Sequence, residues 1–108
     1  MDKKIYNSKQ VKRYASDFVA YLKKQHGLEI DNAYIFGSYA KKNPRQWSDI
    51  DVCVISSKFI KTDPLVYLWG KRRDIDIERG IEPYGLSPAG FVNDNPVAYE
   101  VKKYGVRL

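Results

Sequence analysis

Two short segments of this chain carry residue types whose spacing suits phosphate chemistry. Gly37-Ser38 follows the apolar run Ala33-Tyr34-Ile35-Phe36, and after a ten-residue spacer Asp49-Ile50-Asp51 enters a second apolar run, Val52-Cys53-Val54-Ile55. Side chains two apart on a β-strand share a face. Asp49 and Asp51 would therefore stand side by side while Ile50, Val52 and Val54 turn into a core. Paired carboxylates are hard oxygen ligands for Mg²⁺, an ion that takes few protein carboxylates and fills its octahedron with phosphate oxygens and water. The Gly-Ser segment suits the phosphates themselves. Glycine lets the backbone come close, the Ser38 hydroxyl can donate, and a short helix begun by Ser38-Tyr39-Ala40-Lys41-Lys42 would aim free N–H groups and its positive dipole end at them. Alone, each segment reads as an ordinary turn or as the wet face of an edge strand. In this order, at this spacing and with a strand on each side, they match the needs of metal-dependent nucleotidyl transfer.

The elements that must position these residues are legible on either side. Ser8 can cap a helix running to about Gln25, with Val11, Tyr14, Ala15, Phe18 and Leu22 on one face and Gly27 closing it. His26, beside this stop, reads as a solvated residue facing the helix dipole. Strands are expected at about 32–36 and 50–55, joined by a loop that Asn43-Pro44 marks as irregular. Asp63-Pro64 opens a second helix with Leu65, Leu68, Trp69, Arg72 and Ile75 along one stripe and Trp69 in the core. A third strand is expected at about 79–84, with Pro83 ending it early or placing it at an edge. Ser87-Pro88 begins a turn or short helix. Pro96 to Tyr104 forms a last helix with Val97, Val101 and Tyr104 inward, Gly105 stops it, and residues 106–108 can add a short strand. The sum is an α/β (α+β) chain: a small mixed β-sheet with helices packed on it, expected as one domain over residues 1–108 with its core at about 8–108. No repeat, low-complexity tract or internal linker interrupts it.

Composition bounds the function further. At 108 residues there is room for one core but not for a separate substrate-recognition domain. No apolar run approaches the roughly 20 residues of a membrane helix, and no apolar stretch follows Lys3-Lys4, so neither a membrane span nor a signal peptide is expected, and a cytoplasmic location follows. The single cysteine excludes an internal disulfide or a cysteine zinc cluster, and Cys53, on the parity of Asp51, reads as a small packed residue. A net charge of +6, from 19 basic and 13 acidic residues, favours a polyanion such as a nucleoside triphosphate, an acidic protein or nucleic acid. The basic residues are spread over 9–24, 41–45, 71–79 and 102–107 rather than gathered in one nucleic-acid footprint. Lys41, Lys42 and Arg45 are candidates to neutralise a triphosphate, against the plainer reading of a solvated loop. Trp47 and Tyr39 are candidates to stack on a base, against ordinary packing.

The Gly37-Ser38 and Asp49-x-Asp51 pattern resembles the signature of the minimal nucleotidyltransferase domains of the DNA polymerase β-like superfamily. Ile81-Glu82-Pro83, Asn95-Pro96 and Tyr104-Gly105-Val106 resemble the C-terminal half of its small bacterial and archaeal members, so the resemblance covers about residues 8–108. It implies a nucleotidyltransferase fold, nucleotide binding at Gly37 and Ser38, and Asp49 and Asp51 as catalytic metal ligands. It also implies a third carboxylate, from the strand beside the Asp-x-Asp strand, that helps activate the acceptor hydroxyl. Glu82 occupies the matching position, a glutamate where larger relatives commonly carry aspartate, and Asp76 and Glu78 compete with it. Two Mg²⁺ ions, or Mn²⁺, and ATP as substrate are implied with them. Larger relatives hold their acceptor with extra domains or a second chain. This chain resembles instead the antitoxins paired with HEPN-domain ribonuclease toxins, in which AMP is transferred from ATP to a tyrosine hydroxyl near the toxin's active site. Such a partner, and an oligomer with it, would be expected. A catalytically silent chain would neutralise its partner by contact alone, and a basic nucleic-acid-binding module would bind with strong salt dependence and no need of the aspartates.

Overall fold

Asn7, not Ser8, starts the first helix. Its side chain accepts from the Gln10 backbone N–H at 2.8 Å while the Gln10 side chain accepts from the Asn7 N–H at 3.0 Å, a reciprocal cap that fixes the start one residue earlier than Ser8 would. The computed structural model describes residues 5–45 and 48–108. Its elements are α1 (Ser8–His26), β1 (Asn32–Phe36), β2 (Ile50–Ile55), a 3₁₀ turn (Ser57–Ile60), α2 (Pro64–Gly70), α3 (Asp74–Glu78), β3 (Ile81–Leu86), a second 3₁₀ turn (Pro88–Gly90), α4 (Pro96–Tyr104) and β4 (Val106–Arg107). α1 ends where Gly27 turns left-handed at φ 61°. His26 falls within its last turn, its Nε2 2.8 Å from the Tyr21 hydroxyl.

The four strands form one mixed sheet in the order β3-β2-β1-β4, with β1 antiparallel to both β2 and β4 and β2 parallel to β3. The alternation of β2 divides the molecule. Ile50, Val52 and Val54 join Ile35, Ile81 and the buried stripe of α1, Val11, Ala15, Phe18, Val19 and Leu22, in the main core. Cys53 and Ile55 point the other way and pack with Phe36 and Val101 under α4. Cys53 is fully buried there, a packing residue.

Between β2 and β3 the expected single helix is two. α2 stops at Gly70, and α3 starts afresh at Arg73, whose backbone N–H and Nε both donate to Asp76 Oδ2 at 2.9 Å. Arg73 and Arg79 also reach Asp17 on α1, each at 2.9 Å. These local bonds override the longer apolar stripe: Leu68 is buried, Trp69 half-buried, and Leu65 and Ile75 exposed. β3 lies at the edge of the sheet as Pro83 requires, but it continues through Pro83 and Gly85 to Leu86. The Pro83 carbonyl points off the edge and accepts from Trp69 Nε1 at 2.9 Å, so the position lacking an N–H costs the ladder nothing. At Gly85 the strand passes so close to Phe59 and Pro64 that an added Cβ would lie 2.7 and 2.6 Å from their carbons.

α4 is capped by Asn95 and buries Ala98 and Val101. Tyr104, expected inward, is 41 % exposed, because Ala98 and Val101 define the buried stripe. β4 then closes the far edge through Tyr34↔Arg107 and Ile35↔Val106. Among the described residues no helix is long and apolar enough to cross a membrane. Replacing Trp69 by Phe should leave the Pro83 carbonyl without its donor and lower stability by about 1–3 kcal/mol, read as a shifted urea midpoint; an unchanged midpoint would mean the bond contributes nothing.

Candidate active site

Strand register brings the two halves of the motif together. Phe36 pairs with Asp51 across β1 and β2, and Asp51 pairs with Glu82 across β2 and β3, so these three residues form one row on the α4 side of the sheet. Immediately after Phe36, buried Gly37 turns at φ 75°. A Cβ there would run into the Asp51 carboxylate, with Cγ 3.0 Å and Cβ 3.3 Å away. Only glycine lets the turn sit this close to the acid.

The turn itself is shorter than the expected helix. Lys41 N–H donates to Gly37 O at 3.1 Å, after which Lys42 N–H donates to Tyr39 O at 3.2 Å and Asn43 N–H to Ser38 O at 3.1 Å. This is a helix-ending pattern, with Lys42 left-handed at φ 60° in the place glycine usually takes. A single turn therefore stands where the sequence suggested a short helix, and its contribution is local N–H groups rather than a long dipole. Arg45 and Ser48 close the loop reciprocally: Arg45 N–H donates to Ser48 Oγ at 2.8 Å and Ser48 N–H to Arg45 O at 2.9 Å. Gly37, Ser38, Lys41, Asn43, Arg45, Ser48 and Glu100 line a polar cleft of about 230 Å³.

The acids beside this cleft repel one another. The Glu82 carboxyl is pushed up to about 7, first by a hydrogen bond with Asp49, then by burial and the charges of Asp49 and Asp51. Asp51 is pushed up to about 6 by burial, then by Asp49 and by Glu100 from α4. The Tyr84 hydroxyl, 3.4 Å from Glu82 Oε1, donates to that carboxylate, and its ring is held edge-on to Phe36 at 5.2 Å. The structure thus gathers Asp49, Asp51 and Glu82 and leaves out the two competitors. Asp76 is fully buried on α3 and occupied by Arg73, and Glu78 is exposed on the same helix.

Among the described residues no group of three or more His, Cys, Asp or Glu side chains is drawn tightly enough to hold a metal ion unaided. The donor chemistry nevertheless fits a hard cation. Asp49, Asp51 and Glu82 offer oxygens alone, and the raised proton affinity of Asp51 and Glu82 reports negative charge that a divalent cation would balance.

Two residues at the site were not anticipated. Tyr84 follows Glu82 by two on β3 and was legible from strand parity. Glu100 lies on another element, and nothing in its local pattern points to the cleft. Two expectations fall away from the site. Lys42 and Tyr39 line a separate cleft of about 620 Å³ behind the turn, and the Tyr39 hydroxyl accepts from Tyr6 N–H at 3.2 Å. Trp47 lies outside the described residues.

The sequence profile of the family described as polymerase beta, nucleotidyltransferase matches residues 17–105. The chain belongs to that family. The 1.40 Å crystal structure of a candidate nucleotidyltransferase from Sulfolobus solfataricus is similar in fold, with a TM-score of 0.63 and 18 % identity over 91 % of this chain and 78 % of that one. No curated protein matches the chain. Nucleotidyltransferases of this family work in general on nucleoside triphosphates with divalent metal, which agrees with the oxygen-only donor set described above.

The geometry of this nucleotidyltransferase domain makes two predictions. Gly37→Ala should cost about 1–2 kcal/mol for the left-handed backbone alone, and more for displacing Asp51, measured by equilibrium denaturation; a stability equal to the parent would contradict the close approach. The second concerns pH. Because the folded chain holds protons on Asp51 and Glu82 more tightly than the unfolded chain, the stability they contribute is present below about pH 4 and is lost as pH rises through about 6 to 7. Asp51→Asn should therefore raise the melting temperature at pH 8 in a chelating buffer, and by more than at pH 4.5. A variant that melts lower than the parent at pH 8 would refute the repulsion.

Proposed function

We propose that the chain transfers a nucleoside monophosphate, AMP from ATP, to a hydroxyl group, and that the acceptor is a tyrosine of a HEPN-type toxin which it serves as antitoxin. The observation that carries the transfer reading is the contact of Gly37 with Asp51, which sets the Gly-Ser turn against the acidic row. The choice of acceptor rests on the resemblance of the motif to that of such antitoxins.

In this reading Gly37 lets the turn come down beside Asp51, while Ser38 Oγ and the N–H groups of the turn donate to phosphate oxygens. Lys41 and Arg45 offset the negative charge of the triphosphate at the cleft. Asp49, Asp51 and Glu82 would hold the divalent cations, Mg²⁺ or Mn²⁺. Bound there, such ions supply electrostatic stabilisation to the attacking and leaving oxygens of an in-line displacement. Glu82 takes the proton of the acceptor hydroxyl as that oxygen bonds to the α-phosphorus and the bond to pyrophosphate breaks. Tyr84, donating to Glu82, keeps that carboxylate turned along the strand face. β2 and β3 hold Asp51 and Glu82 as direct neighbours in register, so the orientation of these two acids is set by the sheet.

The test is incubation of the chain with α-labelled ATP, Mg²⁺ and the product of the neighbouring gene as the proposed partner. Label should pass to a tyrosine of that partner. It should disappear with Asp49→Ala/Asp51→Ala and fall about 10²- to 10⁴-fold with Glu82→Gln. A stable complex that takes up no label would replace transfer by neutralisation through contact, and label on another acceptor would keep the transfer and discard the partner.

A further inference from the structure

The cleft beside the Gly-Ser turn contains one acid that the motif does not explain. We infer that Glu100 is a built-in competitor for the phosphate group, an intramolecular anion that occupies Lys41 in the nucleotide-free chain and must be displaced before a triphosphate can use that lysine. The inference rests on the proposed nucleotide reading for its ligand, but its evidence is separate.

Lys41 Nζ lies 3.0 Å from Glu100 Oε1, joining the turn after β1 to α4. The Tyr104 ring lies beneath the same ammonium, 5.1 Å from its centroid. Glu100 and Tyr104 are four apart on α4 and so share a helix face, which is why both meet one lysine. Buried Ala98 and Val101 fix the rotation of that helix, leaving Glu100 turned to the cleft. Glu100 lines the cleft together with Gly37, the residue that lies against Asp51.

An anion lining a phosphate cleft opposes phosphate in two ways: it repels the ligand, and it takes the cation the ligand needs. The distances favour the second. Glu100 is within hydrogen-bond reach of Lys41, and both side chains are partly open to solvent, at 32 % and 37 %, so an incoming phosphate can reach the pair. Exposed ion pairs of this kind add little to fold stability, so the contact is easily exchanged for a charge-assisted bond to phosphate. The consequence is a nucleotide affinity held below what the cleft could reach, which favours release of the pyrophosphate product from the same lysine.

The test measures binding of Mg²⁺-tripolyphosphate, a probe that needs no transfer chemistry, together with KM and kcat for ATP. Glu100→Gln should tighten tripolyphosphate binding and lower KM for ATP about two- to fivefold without raising kcat, the scale of one exposed ion pair. Lys41→Gln should weaken both, and adding Glu100→Gln to it should then change neither. Structural damage cannot produce tighter binding. Unchanged or weaker binding in Glu100→Gln overturns the inference, as does an undiminished Glu100 effect without Lys41, which would mean simple repulsion. Tripolyphosphate binding that follows these expectations in a chain that transfers no nucleotide would defeat the proposed function and leave the competitor standing. A parent chain that binds no polyphosphate defeats both.

Discussion

The pairing of Phe36 with Asp51 and of Asp51 with Glu82 is the constraint on which the rest of the site depends. In a strand every second side chain shares a face, so a one-residue slip would send the aspartates into the core and the valines into water. The register is held by burial. Ile50, Val52 and Val54 are each fully buried against α1, and together they fix the parity that leaves Asp49 and Asp51 on the other face. The apolar pattern of β2 is therefore as much a part of the site as the acids, because it decides where they point. Gly37 adds the last restriction: the turn can lie over Asp51 only if its residue there has no side chain.

Electrostatics separates the acids that build the fold from those gathered at the site. Asp76 is the most buried acid described, yet Arg73 wraps it with hydrogen bonds, and the pair restarts the chain as α3. Asp17 is held below the usual carboxylate range: burial pulls its proton affinity up, and hydrogen bonds from Arg73 and Arg79 outweigh it. Asp51 rises through burial first and then the charges of Asp49 and Glu100, and Glu82 through its hydrogen bond with Asp49, burial and the neighbouring aspartates. Acids that a fold needs are normally paired with cations within it; acids crowded against one another are a local cost the core must offset, and such costs concentrate where function requires them.

What the sequence disclosed follows from which forces are local. β1, β2 and α4 were legible at their observed boundaries because alternation, capping residues and the glycine and proline stops agree with one another. The union of Gly37-Ser38 with Asp49-x-Asp51 was legible because two adjacent antiparallel strands must bring their facing ends together. The break between α2 and α3 was not, since the apolar stripe runs through it and the decisive bonds are those of Arg73 with Asp76 and Asp17. The extent of β3 was hidden by Pro83, whose outward-pointing carbonyl finds a donor in Trp69, 14 positions earlier. Glu82 was preferred over Asp76 and Glu78 through a resemblance; in the structure Glu82 pairs with Asp51 on the strand parallel to β2, Asp76 is inside an ion pair and Glu78 is exposed on α3. Glu100 was beyond reach, since the rotation of α4 that turns it to the cleft is set by burial against the sheet.

The two faces of the sheet divide the work. One carries the main core, with α1 and Leu68 of α2 packed on it. The other carries a smaller core of Phe36, Cys53 and Ile55 with Val101 of α4, and Asp51 and Glu82 stand at its margin. At that boundary the chain changes from apolar to charged within one rung: Cys53 beside Tyr84, then Asp51 beside Glu82. The same change sets the local dielectric. Burial from the covered half raises the proton affinity of Asp51 and Tyr84, while the open half leaves the Lys41–Glu100 pair in contact with solvent. A polar ligand entering from the open side therefore meets exchangeable surface charges first and the strongly perturbed acids last. Glu100 of α4 lines the same cleft as Lys41, and that makes the last helix a part of the site.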